Sequence, residues 1–449
     1  MASRFSWLSP RTVFAVSLLL PGLAHATNGY FLIGYGAKSR AMGGVGVAYA
    51  QDALAAAANP AGMADLKLQT MRIDMGGEFF YPPRSIAHDS ALLPADIKSG
   101  SNTYLIPSMG GVYKFNRKMV IGMAAVGAGM GTRYDQSQAV CEDGDPATNG
   151  NKFFNFNCLA GPTAGVTLYQ MQMLPSVAYK LSKNHYVGAS LAIGIQMFRA
   201  YGLQAFDTLG FAATSGNLTN QGNDWAYGSG IRLGYLGNFF NRRLKFGLNY
   251  ASRVYMTRFT KYKNLFAEQG SFDIPEHFAA GIAVQATRDL VIAADIQRIR
   301  FSSIRSVGNP GPNPADPNNF FPKGSDVLGT DNGLGFGWKD VTAYKVGVDY
   351  RVNSKWNVRA GYNYGKSPIR GDQVLFNMLA PATVEQHATL GISYRPSKSI
   401  EWSMNYMHAF KNTIKGPTAF GPTGAPVVGS NGAISMQIDS VGLSFAFLM

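Results

Sequence analysis

From about residue 66 onward, apolar and polar side chains alternate at every second position. In Val341–Val352, Thr342, Tyr344, Val346, Val348 and Tyr350 share one face, and Lys345, Gly347, Asp349 and Arg351 share the other. Asn357, Arg359, Gly361 and Asn363 likewise oppose Trp356, Val358, Ala360, Tyr362 and Tyr364. A period of two sends the two sets to opposite sides of a sheet. Read this way, the chain predicts fourteen strands: 66–81, 104–115, 119–130, 169–181, 186–200, 225–238, 244–257, 273–286, 290–302, 341–351, 356–365, 385–394, 400–410 and 433–447. The last does not hold one apolar phase. Ile434, Met436 and Ile438 fall on one side, and Val441, Leu443, Phe445 and Phe447 on the other, so a bulge is expected within it.

The connections alternate strictly in length, six short and seven long. Tight turns at one end and long loops at the other are the pattern of an outer-membrane barrel. A closed barrel also leaves no strand edge exposed to lipid. The fold expected is all-β: a transmembrane antiparallel β-barrel of about 14 strands over 66–449. Each short connection or its flank carries a cation, among them Arg117, Lys183, Arg242, Arg288, Lys355 and Lys398. These are spread singly rather than gathered in a patch, which argues against nucleic acid. Contact with anionic lipid headgroups or plain solvation accounts for them.

Fourteen strands enclose a lumen wider than side chains alone can fill, since about eight is the number that just fills. Residues 27–65 are the candidate filler. They are rich in Gly and Ala, and the Ala-rich run 53–58 favours a short helix. Phe31, Leu32, Ile33 and Tyr35 are costly to leave in water. Small residues such as Gly43 and Gly44 permit close packing and tight turns. Asn59-Pro60-Ala61 closes the segment. Pro60 fixes φ, Asn59 is pushed toward an extended conformation, and Ala61 is small enough to approach a wall. The three are expected to clamp the end of a plug; a plain turn is the alternative.

Composition refines the picture. Of 449 residues, 46% are hydrophobic and only 15% charged, below the roughly 25% usual in soluble domains. The net charge is +14. Residues 1–26 read as a secretory signal: Arg4 and Arg11, an apolar core Val13–Leu20, and Ala24-His25-Ala26 as cleavage site. Cys141 and Cys158 share a polar stretch, and in an exported chain a loop disulfide is expected. No H-E-x-x-H, G-x-S-x-G or P-loop occurs. An enzyme, a metal site and a cofactor are therefore not expected.

Two stretches carry a family resemblance. SRAMGGVGVAYAQDALAAAANPAGMA, residues 39–64, resembles the N-terminal hatch of the long-chain fatty acid transport proteins of Gram-negative outer membranes. LFNMLAPATVEQHATLGISY, residues 375–394, is similar to that family's late loop-to-strand region. The resemblance implies a barrel plugged by a hatch, with passive uptake of long-chain fatty acids or other hydrophobic compounds such as aromatic hydrocarbons. It also implies sideways release into the membrane where a strand is kinked, for which the Gly-rich Met119–Met130 is the expected place. Aromatic and apolar loop residues, Phe206, Phe211 and Phe376 among them, supply substrate surface together with Phe31. Lys345, Arg359 and His387 fall on lumen-facing phases, where a substrate carboxylate would need a cation or donors. Salt bridging or lumen hydrogen bonding is the alternative for all three. Expected partners are hydrophobic small molecules, outer-membrane lipids and lipopolysaccharide, with the chain a monomer. The competing function is a general or structural porin with no hydrophobic ligand.

Overall fold

The computed structural model describes residues 28–88, 95–135, 163–208, 210–312, 322, 324–417 and 431–449. The signal stretch and both cysteines lie outside the described residues, as do the loop aromatics Phe153, Phe154, Phe156, Phe320 and Phe321. No helix among the described residues is long and apolar enough to cross a membrane.

Fourteen antiparallel strands carry the ring. They are β1 Met71–Tyr81, β2 Tyr104–Lys114, β3 Met119–Gly131, β4 Thr163–Lys180, β5 His185–Tyr201, β6 Asp224–Phe239 and β7 Leu244–Ala251, followed by β8 His277–Gln285, β9 Leu290–Ile299, β10 Val341–Arg351, β11 Trp356–Gly365, β12 Gln386–Tyr394, β13 Ile400–Pro417 and β14 Asn431–Leu448. Each pairs with the next, and β14 returns to β1, from Arg72 opposite Leu448 to Tyr81 opposite Asp439. A short hairpin, Arg84–His88 with Ala95–Lys98, extends the sheet from the loop end of β14.

The alternation read from the sequence is the alternation of the wall. Tyr344, Val346 and Tyr350 point outward at 53%, 45% and 47% exposure, while Lys345 and Asp349 are buried inside. Strand ends shift where local chemistry competes with the ladder. β7 is interrupted after Ala251, where the Ser252 hydroxyl accepts the Ile231 N–H at 2.9 Å in a carbonyl's place, and pairing with β6 resumes at Tyr255–Met256. The bulge expected in β14 is absent. Ile434, Ile438, Ser440 and Ala446 all face inward without a phase change, and Leu443 and Phe447 face out. What changes is the lumen. Its upper part is apolar, where Met436 and Ile438 pack with Ile33, Val384 and Met407, and lower down Ser440 bonds Glu78. The register shift falls instead in β13, between Ala409 and Asn412.

Residues 28–65 form α1 Gly36–Ala41, α2 Ala55–Ala58 and a 3-10 turn Pro60–Asp65, nearly all of it buried. Their contacts run around the inner face of the ring. Gly46 and Val47 donate to Asp295 of β9 at 2.7 and 3.0 Å, Ala53 to Asp74 of β1 at 2.9 Å, and Asn59 to the Tyr235 carbonyl of β6 at 2.9 Å. A segment that touches opposite strands from within lies inside the barrel. Gly43 and Gly44 adopt φ of +69° and +87°, where a side chain is strained, and a Cβ on either would overlap backbone, of Tyr362 or of Ile33.

Candidate functional site

The ring has an irregular seam between β2 and β3. Their ladder runs from Lys114 opposite Val120 to Ser108 opposite Val126 and ends there. Beyond it β3 pairs only with β4, as far as Gly131, and Tyr104–Pro107 of β2 pair only with β1. Pro107 has no N–H to continue the ladder. A cavity of 380 Å³ occupies the seam. Leu105, Tyr169 and Trp225 line it and are 63%, 51% and 53% exposed on the outer surface. Phe31, Gln170 and Ile438 line it too and are buried on the inner side. The cavity therefore passes through the wall, and nearly all of its lining is apolar.

A second, smaller cavity of 40 Å³ lies among the loops and shares Met130 with the first. Phe206 and Phe376 line it, 5.3 Å apart between ring centres, and Phe211 meets Phe206 edge to face at 5.5 Å. Phe266 and Phe272 line the same space 5.0 Å apart. From there the rings continue inward, Phe272 to Tyr30 at 6.2 Å and Tyr30 to Phe31 at 5.4 Å. An aromatic path thus joins the loops to the wall cavity. Phe31, Phe206, Phe211 and Phe376, singled out in the sequence, all lie along it. Tyr30, Phe266, Phe272 and Met130 were not singled out, and no local pattern marks them. The Gly-rich Met119–Met130, where the opening was expected, borders the seam, and its residues 127–130 line the cavity; Pro107 within β2 is a second sign in the sequence. The glycines of Met119–Gly131 do not interrupt its pairing with β4; the break is on the β2 side.

The polar candidates lie elsewhere. Lys345 donates to the Ile33 carbonyl at 2.7 Å and to Gln297 at 2.8 Å. Arg359 faces Asp349 at 3.3 Å and bonds Gln51 at 2.9 Å and Ser393 at 2.6 Å. His387 is fully buried with Nδ1 3.2 Å from the Asn363 side-chain oxygen. None of the three lines either cavity. Lys345 and Arg359 hold the N-terminal segment against the wall.

That segment is fastened at both ends. Lys38 of α1 pairs with Glu401, and Arg40 with Glu78. Arg72, itself bound to Asp74 at 2.6 Å, meets Glu401 at 2.9 Å. These charges recur at period two in β1 and were open to reading in the sequence. At the far end Asp65 pairs with Arg242 and Lys245. Asn59 has extended backbone, φ −159°. Its amide donates to the Val47 carbonyl at 2.7 Å as well as to Tyr235, and its oxygen accepts Ala61 N–H at 3.1 Å. Asp52, in the segment rather than in a strand, has its carboxyl pushed up to about 6, first by burial and next by the charge of Asp74. Among the described residues no cluster of His, Cys, Asp and Glu is arranged to hold a metal.

Comparison with known proteins follows the same lines. A family model described as outer membrane protein transport protein (OMPP1/FadL/TodX) matches residues 32–446. The fold is similar to that of the P. putida toluene transporter TodX, at 18% identity and a TM-score of 0.67, over 93% of this chain and 99% of that one. The Ralstonia pickettii toluene transporter TbuX is similar at 18% identity and 0.61, and a Pseudomonas aeruginosa FadL homologue at 14% and 0.66, with the same coverage. No curated protein matches the chain.

Proposed function

The chain belongs to the outer membrane protein transport family (OMPP1/FadL/TodX), and from that premise we propose that it takes up hydrophobic compounds and releases them sideways into the outer membrane. Long-chain fatty acids and aromatic hydrocarbons are the candidate substrates. The toluene transporters of similar fold support the hydrophobic class. The observation that carries the reading is the apolar cavity through the β2–β3 seam. A solute entering among Phe206, Phe211 and Phe376 passes Phe31 and leaves between the strands. It never enters periplasmic water, which keeps about 0.8 kcal/mol per methylene from being lost to hydration.

Residues 27–65 serve as the hatch that closes the lumen, set in place by Gly43, Gly44 and the Asn59-Pro60-Ala61 clamp. Residues 66–449 form the barrel, residues 1–26 the export signal, and the chain works as a monomer among lipids and lipopolysaccharide. Reconstitution separates this reading from a general porin. The purified protein is expected to bind oleate or toluene and to give no steady ion conductance in a planar bilayer. Steady conductance without hydrophobic binding would contradict it.

A further inference from the structure

The loop cavity is shut as it stands. It measures 40 Å³, whereas an apolar cavity that holds benzene measures about 150 Å³. Even the smallest aromatic ring enters only when its walls part. Leu265, Phe266 and Phe272 contribute to the lining from residues 252–276. Leu328, Leu334 and Phe336 contribute from a strap, residues 324–340.

A latch ties the strap to residues 267–270. Glu268 and Gln269 donate their backbone N–H groups to the Thr330 and Gly329 carbonyls, at 2.9 and 3.0 Å. The Gln269 side-chain amide donates to the Asp331 carboxylate at 2.7 Å. Arg305 Nη1 donates to the Asp331 carbonyl at 3.0 Å, and its Nε faces the Glu268 carboxylate at 3.5 Å. To aim their N–H groups this way, Glu268 and Gln269 take φ of +55° and +54°. That is the left-handed region, which a residue with a side chain enters at a cost. The cost of two in succession is comparable with what the two backbone hydrogen bonds return. Gln269 and Asp331 are exposed, so water competes for the side-chain bonds as well. The latch is therefore held shut by a small margin, and its strain is released on opening.

On its other side the strap is held without such strain. The Leu328 N–H donates to the Phe211 carbonyl at 2.7 Å, and its carbonyl accepts the Ala213 N–H at 3.1 Å. Neither Phe211 nor Ala213 has positive φ. The strap thus parts from residues 267–270 before it parts from 211–213.

We propose that this line of contact is the outer door of the transport path, shut in this structure, and that the left-handed pair Glu268–Gln269 keeps the door weak enough for a hydrophobic solute to open. The assignment rests on the transport reading above and adds a gated step to it. Opening separates Leu265 and Phe266 from Leu328, Leu334 and Phe336 and admits the solute between them.

The test is uptake of toluene and oleate by cells carrying the full chain with Cys141 and Cys158 replaced by Ser and with Gln269→Cys and Asp331→Cys across the latch. Uptake is measured before and after the pair is bridged by a short, reducible bifunctional thiol reagent. The bridged chain is expected to lose about tenfold or more of its uptake and to regain it on reduction. Toluene dissolved in nanodisc lipid reaches the wall cavity between β2 and β3 without passing the loops, so its binding there is expected to survive the bridge. Bridged uptake at the unbridged rate overturns the assignment. If wild type takes up neither compound, the transport reading falls and the assignment with it. Gln269→Gly and Gln269→Val give a second readout. Both lack the bond to Asp331, so they differ chiefly in what the left-handed backbone costs. Gln269→Val, which weakens the latch, is expected to take up solute about tenfold faster than Gln269→Gly, which strengthens it. Equal rates for the two overturn the assignment, even where the bridge disturbs the barrel.

Discussion

Asn59 shows how a single side chain can fix a segment inside a barrel. Its amide satisfies two carbonyls, one on its own segment at Val47 and one on the wall at Tyr235. It is fully buried, so no water replaces these bonds when they are lost. Leaving buried carbonyls unpaired costs about 1–3 kcal/mol. Asn59→Ala is therefore expected to loosen the N-terminal segment by that amount while the strand ladder stays intact. Protease nicking near residue 59 should rise, and the protein should still migrate as a folded barrel until boiled. Unchanged nicking and unchanged uptake would show that Asn59 only shapes a turn. Gly234 makes the contact possible, because a Cβ there would overlap the Asn59 side-chain oxygen.

At the scale of elements, the N-terminal segment is held by buried charges as well as by apolar packing, and the charges give it a pH response. Asp52 is buried near Asp74, Lys38 and Arg72, and its carboxyl is raised from 3.8 to about 6. A raised carboxyl means the seated segment binds the proton more tightly than the released one. The stabilisation from Asp52 is thus complete below about pH 4 and is lost as pH rises through about 6. Hydrogen-exchange protection of residues 36–58, corrected for intrinsic rates, is expected to fall over that window, and Asp52→Asn to abolish the fall. A pH-independent wild type would contradict this. The strands were legible because lipid outside and lumen inside enforce a strict period of two, as in β10 and β11. The reading failed where the lumen itself changes character. In β14 an apolar upper lumen moved the hydrophobic residues to the inner face, which imitated a phase shift. The cations Lys345 and Arg359 were correctly placed inside. Their partners, a carbonyl of Ile33 and the side chain of Gln51, belong to the segment folded against them and have no signature in the strands.

At the scale of the whole molecule, the barrel closes on itself and fills its own lumen, yet is open through its side. The aromatic path from Phe206 and Phe376 through Tyr30 to Phe31 joins loops far apart in sequence, and only closure of the ring brings them together. The central claim is that solute leaves through the seam between β2 and β3. Ala128 lines that cavity on β3, opposite Gln170. Ala128→Trp adds an indole to the lining of the passage at a position whose backbone stays paired with β4. The decisive measurement is uptake of oleate and toluene by cells whose only such transporter is this chain, wild type or Ala128→Trp, at matched amounts of folded barrel. The wall route predicts that the tryptophan abolishes uptake while Ala128→Ser retains it; uptake by Ala128→Trp at the wild-type rate would contradict the route.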